Sequence, residues 1–322
     1  MIDPELAWST YLGGTDADVA YGVAVDASRN VLITGWTESY GWTSGGFDTD
    51  FGGHYLPDAF VVKLSPSGGH LWSTYLEGMG AELGFGVAVD ASDNVVITGR
   101  TDSAWVSGGF DTSLNGLEDA FVAKLTPLGG HVWSTYLGGS GNETGWGAAV
   151  DAQGSILITG ETISAGWTLG GFDTSFNGDS DAFVAKLSSS GEHLWSTYVG
   201  GDRVDYGQGV AVDVSGNAVV TGNTDSGGWA SGGFDTSHDG GTDAFVAKFG
   251  PSGQHLWSTY LGGSGNDSGW SVATDPAGAI VIAGDTCSAN WVSGGFDATF
   301  GGESDAFVAK LTSAGAHLWS TY

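Results

Sequence analysis

The sequence predicts an all-β fold, a five-bladed β-propeller with four antiparallel strands per blade. Three observations carry this. The string Trp-Ser-Thr-Tyr recurs at Trp8, Trp72, Trp133, Trp195, Trp257 and Trp319, with spacings of 64, 61, 62, 62 and 62 residues. Such a fixed period is the mark of a repeat architecture. Within each period the distances from Trp to the aspartate of a Val-Asp turn (Trp8 to Asp26, Trp72 to Asp90) and from an Asp-Ala-Phe string to the next Trp (Asp58 to Trp72, Asp119 to Trp133) do not vary. All length change falls between these two blocks, near His54–Pro57 in the first repeat and Asp102–Trp105 in the second. Loops tolerate such changes and strand ladders do not. Finally, no segment has helical periodicity, and 58 of 322 residues are glycine.

Each rigid block reads as a hairpin. Gly86–Asp90, Ala-Ser-Asp-Asn and Val95–Gly99 give two short β-branched runs around a turn. Ala120–Leu125, Thr-Pro-Leu-Gly-Gly and His131–Tyr136 give the second hairpin. The four strands are termed A to D. Strand A is small and apolar between its glycine and its aspartate, and strand D carries bulky Trp and Tyr, which suits a wedge with A inside and D outside. A repeat of this length favours a propeller blade over a solenoid coil, whose repeats run to roughly 20–30 residues. Residues 1–322 are therefore expected to form one domain of five repeats plus one surplus outer strand. A terminal copy, residues 7–12 or 317–322, is expected to close the ring, so that both chain ends meet in one blade.

The strings Gly-Val-Ala-Val-Asp-Ala-Ser-x-Asn-Val-Val-Ile-Thr-Gly, Asp-Ala-Phe-Val-Ala-Lys-Leu and His-Leu-Trp-Ser-Thr-Tyr-Leu-Gly-Gly, in phase over nearly all of residues 6–322, resemble the bacterial SBBP β-propeller repeat. The resemblance implies a propeller of secreted or cell-surface proteins and implies no catalytic residues. Extracellular or cell-surface location is the expectation, with no signal peptide in Met1-Ile-Asp-Pro-Glu.

Composition narrows the function. The net charge is −29, from 8 basic and 37 acidic residues. Five of the eight are one repeated lysine: Lys63, Lys124, Lys186, Lys248 and Lys310. Nucleic acid is excluded as a partner, because it demands basic patches. No run of 18 apolar residues exists, so membrane insertion is not expected. The single cysteine, Cys287, reads as a loop thiol. The chain is expected to be a monomer, with strand exchange through the surplus outer strand as a route to association.

The long B–C loop and the D–A loop are expected to share one face, which collects three acids per repeat. Asp18, Glu82, Glu143, Asp205 and Asp267 lie in the D–A loop. Asp48, Asp111, Asp173, Asp235 and Asp297 lie in Gly-Gly-Phe-Asp, and Asp58, Asp119, Asp181, Asp243 and Asp305 open Asp-Ala-Phe. Two readings stand: calcium ligands, since that ion takes six to eight oxygens, or turn caps and partners of the blade's lysine. Each B–C loop also carries one tryptophan, Trp42, Trp105, Trp167, Trp229 or Trp291. These either stack on sugar rings or clamp a glycine-rich loop to its blade. The repeated histidines, such as His70 and His131, start strand D and diverge around a ring, so they are read as hairpin-edge residues. One position breaks the symmetry. After Thr-Gly or Ala-Gly at the end of strand B stand Trp36, Arg100, Glu161, Asn223 and Asp285, each followed by threonine. Five chemistries at one position mark either free exposure or a specificity surface.

The sequence thus predicts a non-catalytic binding or structural module, with carbohydrate or another surface protein as candidate partner and calcium as candidate ion. The alternative is a propeller lyase or glycosidase working through loop carboxylates. No catalytic residue is assigned, because the acids repeat and a catalytic pair breaks repeat symmetry.

Overall fold

The structure, a computed structural model, describes residues 7–52 and 56–322. The opening Met1-Ile-Asp-Pro-Glu and part of the insertion near His54–Pro57 lie outside the described residues. The fold is all-β: five sheets of four antiparallel strands each, the blade count and blade make-up of a five-bladed propeller. Sheet 1 comprises β1 (Asp18–Val25), β2 (Val31–Thr37), β3 (Asp58–Leu64) and β4 (His70–Leu76). Sheet 2 comprises β5 (Glu82–Val89), β6 (Val95–Thr101), β7 (Asp119–Leu125) and β8 (His131–Leu137). Sheet 3 comprises β9 (Glu143–Val150), β10 (Ile156–Thr162), β11 (Asp181–Leu187) and β12 (His193–Val199). Sheet 4 comprises β13 (Asp205–Val212), β14 (Ala218–Thr224), β15 (Asp243–Phe249) and β16 (His255–Leu261). Sheet 5 comprises β17 (Asp267–Thr274), β18 (Ile280–Thr286), β19 (Asp305–Leu311) and β20 (His317–Thr321). Contacts divide the chain into two compact units, Met1–Leu137 with sheets 1 and 2, and Gly138–Tyr322 with sheets 3, 4 and 5.

Within each unit, neighbouring sheets converge on their A strands: β1 meets β5 in the first, and β13 meets both β9 and β17 in the second. The Trp-Ser-Thr-Tyr strands lie at the opposite edge of every sheet. The third strands pair on both sides, and β7, β11 and β15 are buried along their whole length, their opening aspartate and their lysine included. Each sheet buries a phenylalanine there (Phe60, Phe121, Phe183, Phe245, Phe307), at most 1% exposed.

Every sheet is continuous in sequence, which corrects the expectation that the chain ends meet in one blade. β20 closes the fifth sheet on β19 alone. The first Trp-Ser-Thr-Tyr copy forms no strand. Instead Trp8 docks on the turn of sheet 1: its Nε1 donates to Pro66 O at 3.0 Å, and its ring lies against Gly68. Trp72 treats the turn of sheet 2 in the same way, donating to Pro127 O at 3.0 Å and lying against Gly129. The outer tryptophan is therefore a peg for the next turn, and Trp8 fills that role without its strand.

The long loop departs from its expected place. After strand B it crosses to the outer strand and runs parallel to it, with bridges Gly45 to Ser73, Gly108 to Ser134, Gly170 to Ser196, Gly232 to Ser258 and Gly294 to Ser320. Ser73 N–H donates to Ser44 O at 2.7 Å and Tyr75 N–H to Asp48 O at 3.0 Å. A bare edge strand invites intermolecular pairing, and this loop covers it.

Candidate functional site

The lysine of each blade finds its acid away from the long loop. Lys63, Lys124, Lys186 and Lys248 meet Asp26, Asp90, Asp151 and Asp213, the Val-Asp turn aspartates, at 2.8–2.9 Å, with all eight side chains at most 7% exposed. Lys310 and Asp275 repeat the pair at 3.1 Å and are far more exposed. Burial alone would raise the Asp213 carboxyl; the ammonium of Lys248 and the amide of Asn217 outweigh it and hold the group below its ordinary value. The lysine partner expected for the loop acids is thus taken by a different aspartate, at the A–B turn.

The D–A loop acids are caps inside a relay. Gly139 N–H donates to Glu143 Oε2 at 2.9 Å, Gly201 N–H to Asp205 Oδ2 at 2.8 Å and Gly263 N–H to Asp267 Oδ2 at 2.9 Å. The invariant threonine adds a hydroxyl: Thr101 to Glu82 at 2.7 Å, Thr162 to Glu143 at 2.8 Å, and likewise Thr37 to Asp18, Thr224 to Asp205 and Thr286 to Asp267. The loop tryptophan completes the relay. Trp42, Trp105, Trp167, Trp229 and Trp291 each donate Nε1 to that threonine at 3.0–3.2 Å. Each also sets its ring edge-on to the core phenylalanine, with centroids 5.0–5.2 Å apart. In this geometry the tryptophan clamps the loop, since its only polar atom is spent inside the blade.

The Gly-Gly-Phe-Asp acids cap their own turns at the outer edge: Asp111, Asp173, Asp235 and Asp297 accept the N–H two residues on at 2.8–2.9 Å, and Asp48 does so at 3.2 Å. Four of the Asp-Ala-Phe acids, Asp58, Asp119, Asp181 and Asp243, are buried, and Asp305 is half-buried. Asp181 accepts N–H from Asn177 at 3.1 Å and Gly178 at 3.2 Å. Burial, reinforced by the charge of Asp205, pushes its carboxyl up to about 7. Asp243 is pushed up to about 6, by burial first, with Asp267 and Asp239 adding and His238 opposing. Asp119 caps Asn115 and Gly116 at 2.9 Å, Asp305 caps Gly301 at 2.7 Å, and Asp58 is fully buried. Among the described residues no three His, Cys, Asp or Glu side chains gather as a metal-binding group. Four of the strand D histidines, His70, His131, His255 and His317, bond the serine three residues on at 2.9–3.1 Å and do not converge. Cys287 is an exposed loop thiol.

The variable position sits beside a feature that the sequence reading passed over. Every A strand is bulged at one register: between Ala20 and Gly22, Gly84 and Gly86, Gly145 and Gly147, Gly207 and Gly209, and Gly269 and Ser271. A bulge leaves one residue without a partner and re-aims its side chain. The residues so extruded are Tyr21, Phe85, Trp146, Gln208 and Trp270. Tyr21 is 57% and Trp270 54% exposed. The glycine after the bulge has a steric cause. A Cβ on Gly22 would stand 2.6 Å from Phe85 O, and one on Gly209 would stand 3.1 Å from Trp270 O. The bulges of adjacent sheets therefore lie against one another.

Trp36, Arg100, Glu161, Asn223 and Asp285 pair directly with Val19, Leu83, Thr144, Tyr206 and Ser268, two residues before each bulge. In the second unit they meet the aromatics. Trp270 Nε1 donates to Asp285 Oδ1. The charge of Glu161 reaches the Tyr206 hydroxyl, which burial, first, and this charge raise above its ordinary value. In the first unit Tyr21 packs edge-on to Phe85 at 5.1 Å, and Arg100 pairs with Glu118 at 3.0 Å. The signal available in the sequence was a large side chain next to glycine, flanked by two glycines at Phe85, Trp146 and Gln208, and an A strand one residue longer than its partner.

A WD repeat-containing protein of Acanthamoeba polyphaga mimivirus is 25% identical over 396 aligned residues, covering 97% of this chain and 28% of that protein. The regulatory protein FlaEY of Caulobacter vibrioides is 26% identical over 199 residues, covering 59% of this chain and 20% of its own length. The chain thus spans under a third of the curated relatives it matches. Among solved structures, a gluconolactonase of Xanthomonas campestris aligns over 95% of this chain and 76% of its own, at 13% identity and a TM-score of 0.42. Residues 7–47 and 194–228 match the family model of the beta-propeller repeat SBBP.

Proposed function

We propose that this chain is a non-catalytic binding module that reads its ligand at the bulged ends of the A strands, with carbohydrate as the ligand class. The observation that carries the reading is the coincidence of two features at one register. Four of five bulges carry an aromatic residue, exposed at Tyr21 and Trp270, half-buried at Trp146 and buried at Phe85, and beside each bulge stands the one position whose chemistry changes from blade to blade. Scaffold demands the same residue in every repeat, whereas recognition of an asymmetric ligand demands different ones. In the second unit Trp146 and Trp270 offer ring faces, while Glu161, Gln208, Asn223 and Asp285 offer hydrogen-bonding groups, the combination by which sugar rings are held. The non-catalytic reading is supported by the loop acids, most of which already accept hydrogen bonds from backbone or hydroxyl donors. An extracellular or cell-surface setting belongs to the same proposal and rests on the repeat family.

The test is an immobilised glycan array probed with the full chain, alongside a glycosidase and lyase substrate panel. Binding to a glycan class without turnover is expected. Trp270→Ala should lose it, and Leu169→Ser, an exposed loop substitution, should retain it. Turnover of any panel substrate would replace this reading with the enzymatic one. Absence of glycan binding would overturn the carbohydrate assignment and turn attention to protein partners of the same surface.

A further inference from the structure

The junction of sheets 4 and 5 contains a cradle made only of oxygen acceptors. Three oxygens converge on Gly240: from the point where a Cβ would stand, Gly265 O is 2.3 Å away, Asp243 Oδ1 2.7 Å and Gly263 O 2.7 Å. Asp243 is 2% exposed. Its Oδ2 accepts the Asp239 N–H at 3.0 Å, but its buried Oδ1 has no hydrogen-bond donor. A buried carboxylate oxygen without a donor carries a full desolvation cost. Here two carbonyl oxygens add repulsion. The cation of the same blade cannot relieve it, because Lys248 is held by Asp213 at the A–B turn, at 2.8 Å. Asp267, the neighbouring acid, is already saturated by Gly263 N–H, Ser288 Oγ and Thr286 Oγ1.

The same place one sheet earlier shows what is unusual. There Asp181 Oδ1 takes the Gly178 N–H at 3.2 Å and Oδ2 the Asn177 N–H at 3.1 Å, so both oxygens are served. In sheet 4 the asparagine becomes Asp239, which adds negative charge beside the cradle. The carbonyl of Gly265 is only lightly engaged, by Gly241 N–H at 3.2 Å.

We infer that Asp243 Oδ1, Gly263 O and Gly265 O bind one hard divalent cation of the calcium class, with water completing its shell. Carboxylate and carbonyl oxygens without nitrogen or sulfur are the donor set that such an ion takes. A single carboxylate among the ligands places the affinity at the weak end, Kd about 10⁻⁴–10⁻³ M. Binding to the folded chain alone stabilises it by mass action, and it ties the loop before β15 to the loop before β17.

The experiment uses the full chain at pH 8. Calorimetric melting in about 5 mM calcium chloride, a concentration above the expected Kd, is compared with sodium chloride of equal ionic strength. Equilibrium dialysis with radioactive calcium counts the ions. The expected result is a higher Tm in calcium and saturable binding of one ion per chain. Asp243→Asn should abolish both, and Asp235→Asn, a turn cap in the same loop, should keep both. If Asp243→Asn does not fold, Gly240→Ala, whose methyl fills the cradle, takes its place, and the ion count on the unaltered chain stands by itself. Equal melting in the two salts with no saturable ion would overturn the inference. Retention of the calcium shift in Asp243→Asn would overturn it equally.

Discussion

Trp229 donates its indole N–H to Thr224 Oγ1 at 3.2 Å, and the same hydroxyl donates to the buried carboxylate of Asp205. One small side chain thus connects the long loop to the strand that opens the blade. Tyr260, whose hydroxyl donates to Ser226 O at 3.0 Å, and Ser226 itself, which donates to Asp205 at 2.9 Å, complete the network.

Thr224→Val tests this connection. Valine matches the shape of threonine but leaves the Trp229 indole unpaired and removes a donor from a buried acid. Bonds to charged groups are worth about 1.5–3 kcal/mol and neutral ones about 1 kcal/mol. A loss of about 2–4 kcal/mol in urea denaturation is expected. Thr224→Ser, which keeps the hydroxyl, should recover most of it. If valine costs no more than serine, the relay does not hold the loop.

Lys248→Met tests the buried ion pair. Removing one partner of a buried pair leaves an uncompensated charge, at a cost of about 3–5 kcal/mol. Asp213 remains with Asn217 and two backbone donors, so the lower end of that range is expected. Lys310→Met breaks the same pair in its exposed setting and should lose distinctly less. Lys248→Met with Asp213→Asn should regain part of the single-mutant loss. Equal losses at positions 248 and 310 would contradict the burial argument.

The pH profile should combine two opposite terms. Asp213 has a folded pKa below its unfolded value of 3.8. Its contribution is complete above that value and disappears as the pH falls through the folded pKa. Asp181 has a folded value of about 7 against 3.8 unfolded. Between these values the folded chain holds a proton that the unfolded chain has released, so stability falls as pH rises from about 4 to about 7. One such proton gives a slope of at most about 1.4 kcal/mol per pH unit. Urea midpoints from pH 4 to 8 should therefore decline, and Asp181→Asn should flatten the decline. The slope is the clean readout, because an amide nitrogen cannot accept the Gly178 N–H. An unchanged slope in Asp181→Asn would assign the decline to other groups.

The strands and their order were legible because the constraint on them is periodic. Repeated Val-Asp turns, Asp-Ala-Phe and Trp-Ser-Thr-Tyr mark elements that must pack alike in every blade. The clamp role of Trp229 was one of two readings of the sequence. The choice depended on whether the indole N–H had an internal partner, and Thr224 supplies one from the end of strand B. The A-strand bulge was not seen. It depends on a carbonyl of the next sheet standing where the Cβ of Gly22 or Gly209 would be, a contact between sheets that no single repeat encodes. A loop acid as the partner of Lys248 was part of one of the two readings of the acids; the antiparallel register places the lysine beside the other end of strand A, at Asp213. The two residues most exposed to misreading were Trp8 and Trp319, which open the same Trp-Ser-Thr-Tyr string yet differ in the structure: one forms no strand and the other pairs in β20.

Deletion of residues 7–12 tests the peg that Trp8 supplies. The indole and Leu12 cover Phe60, Val62 and Leu64, and Trp8 donates to Pro66 O. No strand ladder is lost with the segment, so the five sheets should persist by circular dichroism. What is lost is apolar cover, worth roughly 25 cal/mol for each Å² exposed, together with one hydrogen bond of about 1 kcal/mol. The damage should be local. Hydrogen exchange should rise in β3 and in the turn Ser65–Gly69, and protection in β15 should stay unchanged. Trp8→Ala alone should reproduce most of the effect, because the peg and not the backbone makes the contact. If the deletion leaves exchange in β3 as it was, the turn of sheet 1 is held by its own hairpin, and Trp8 is a passenger on it.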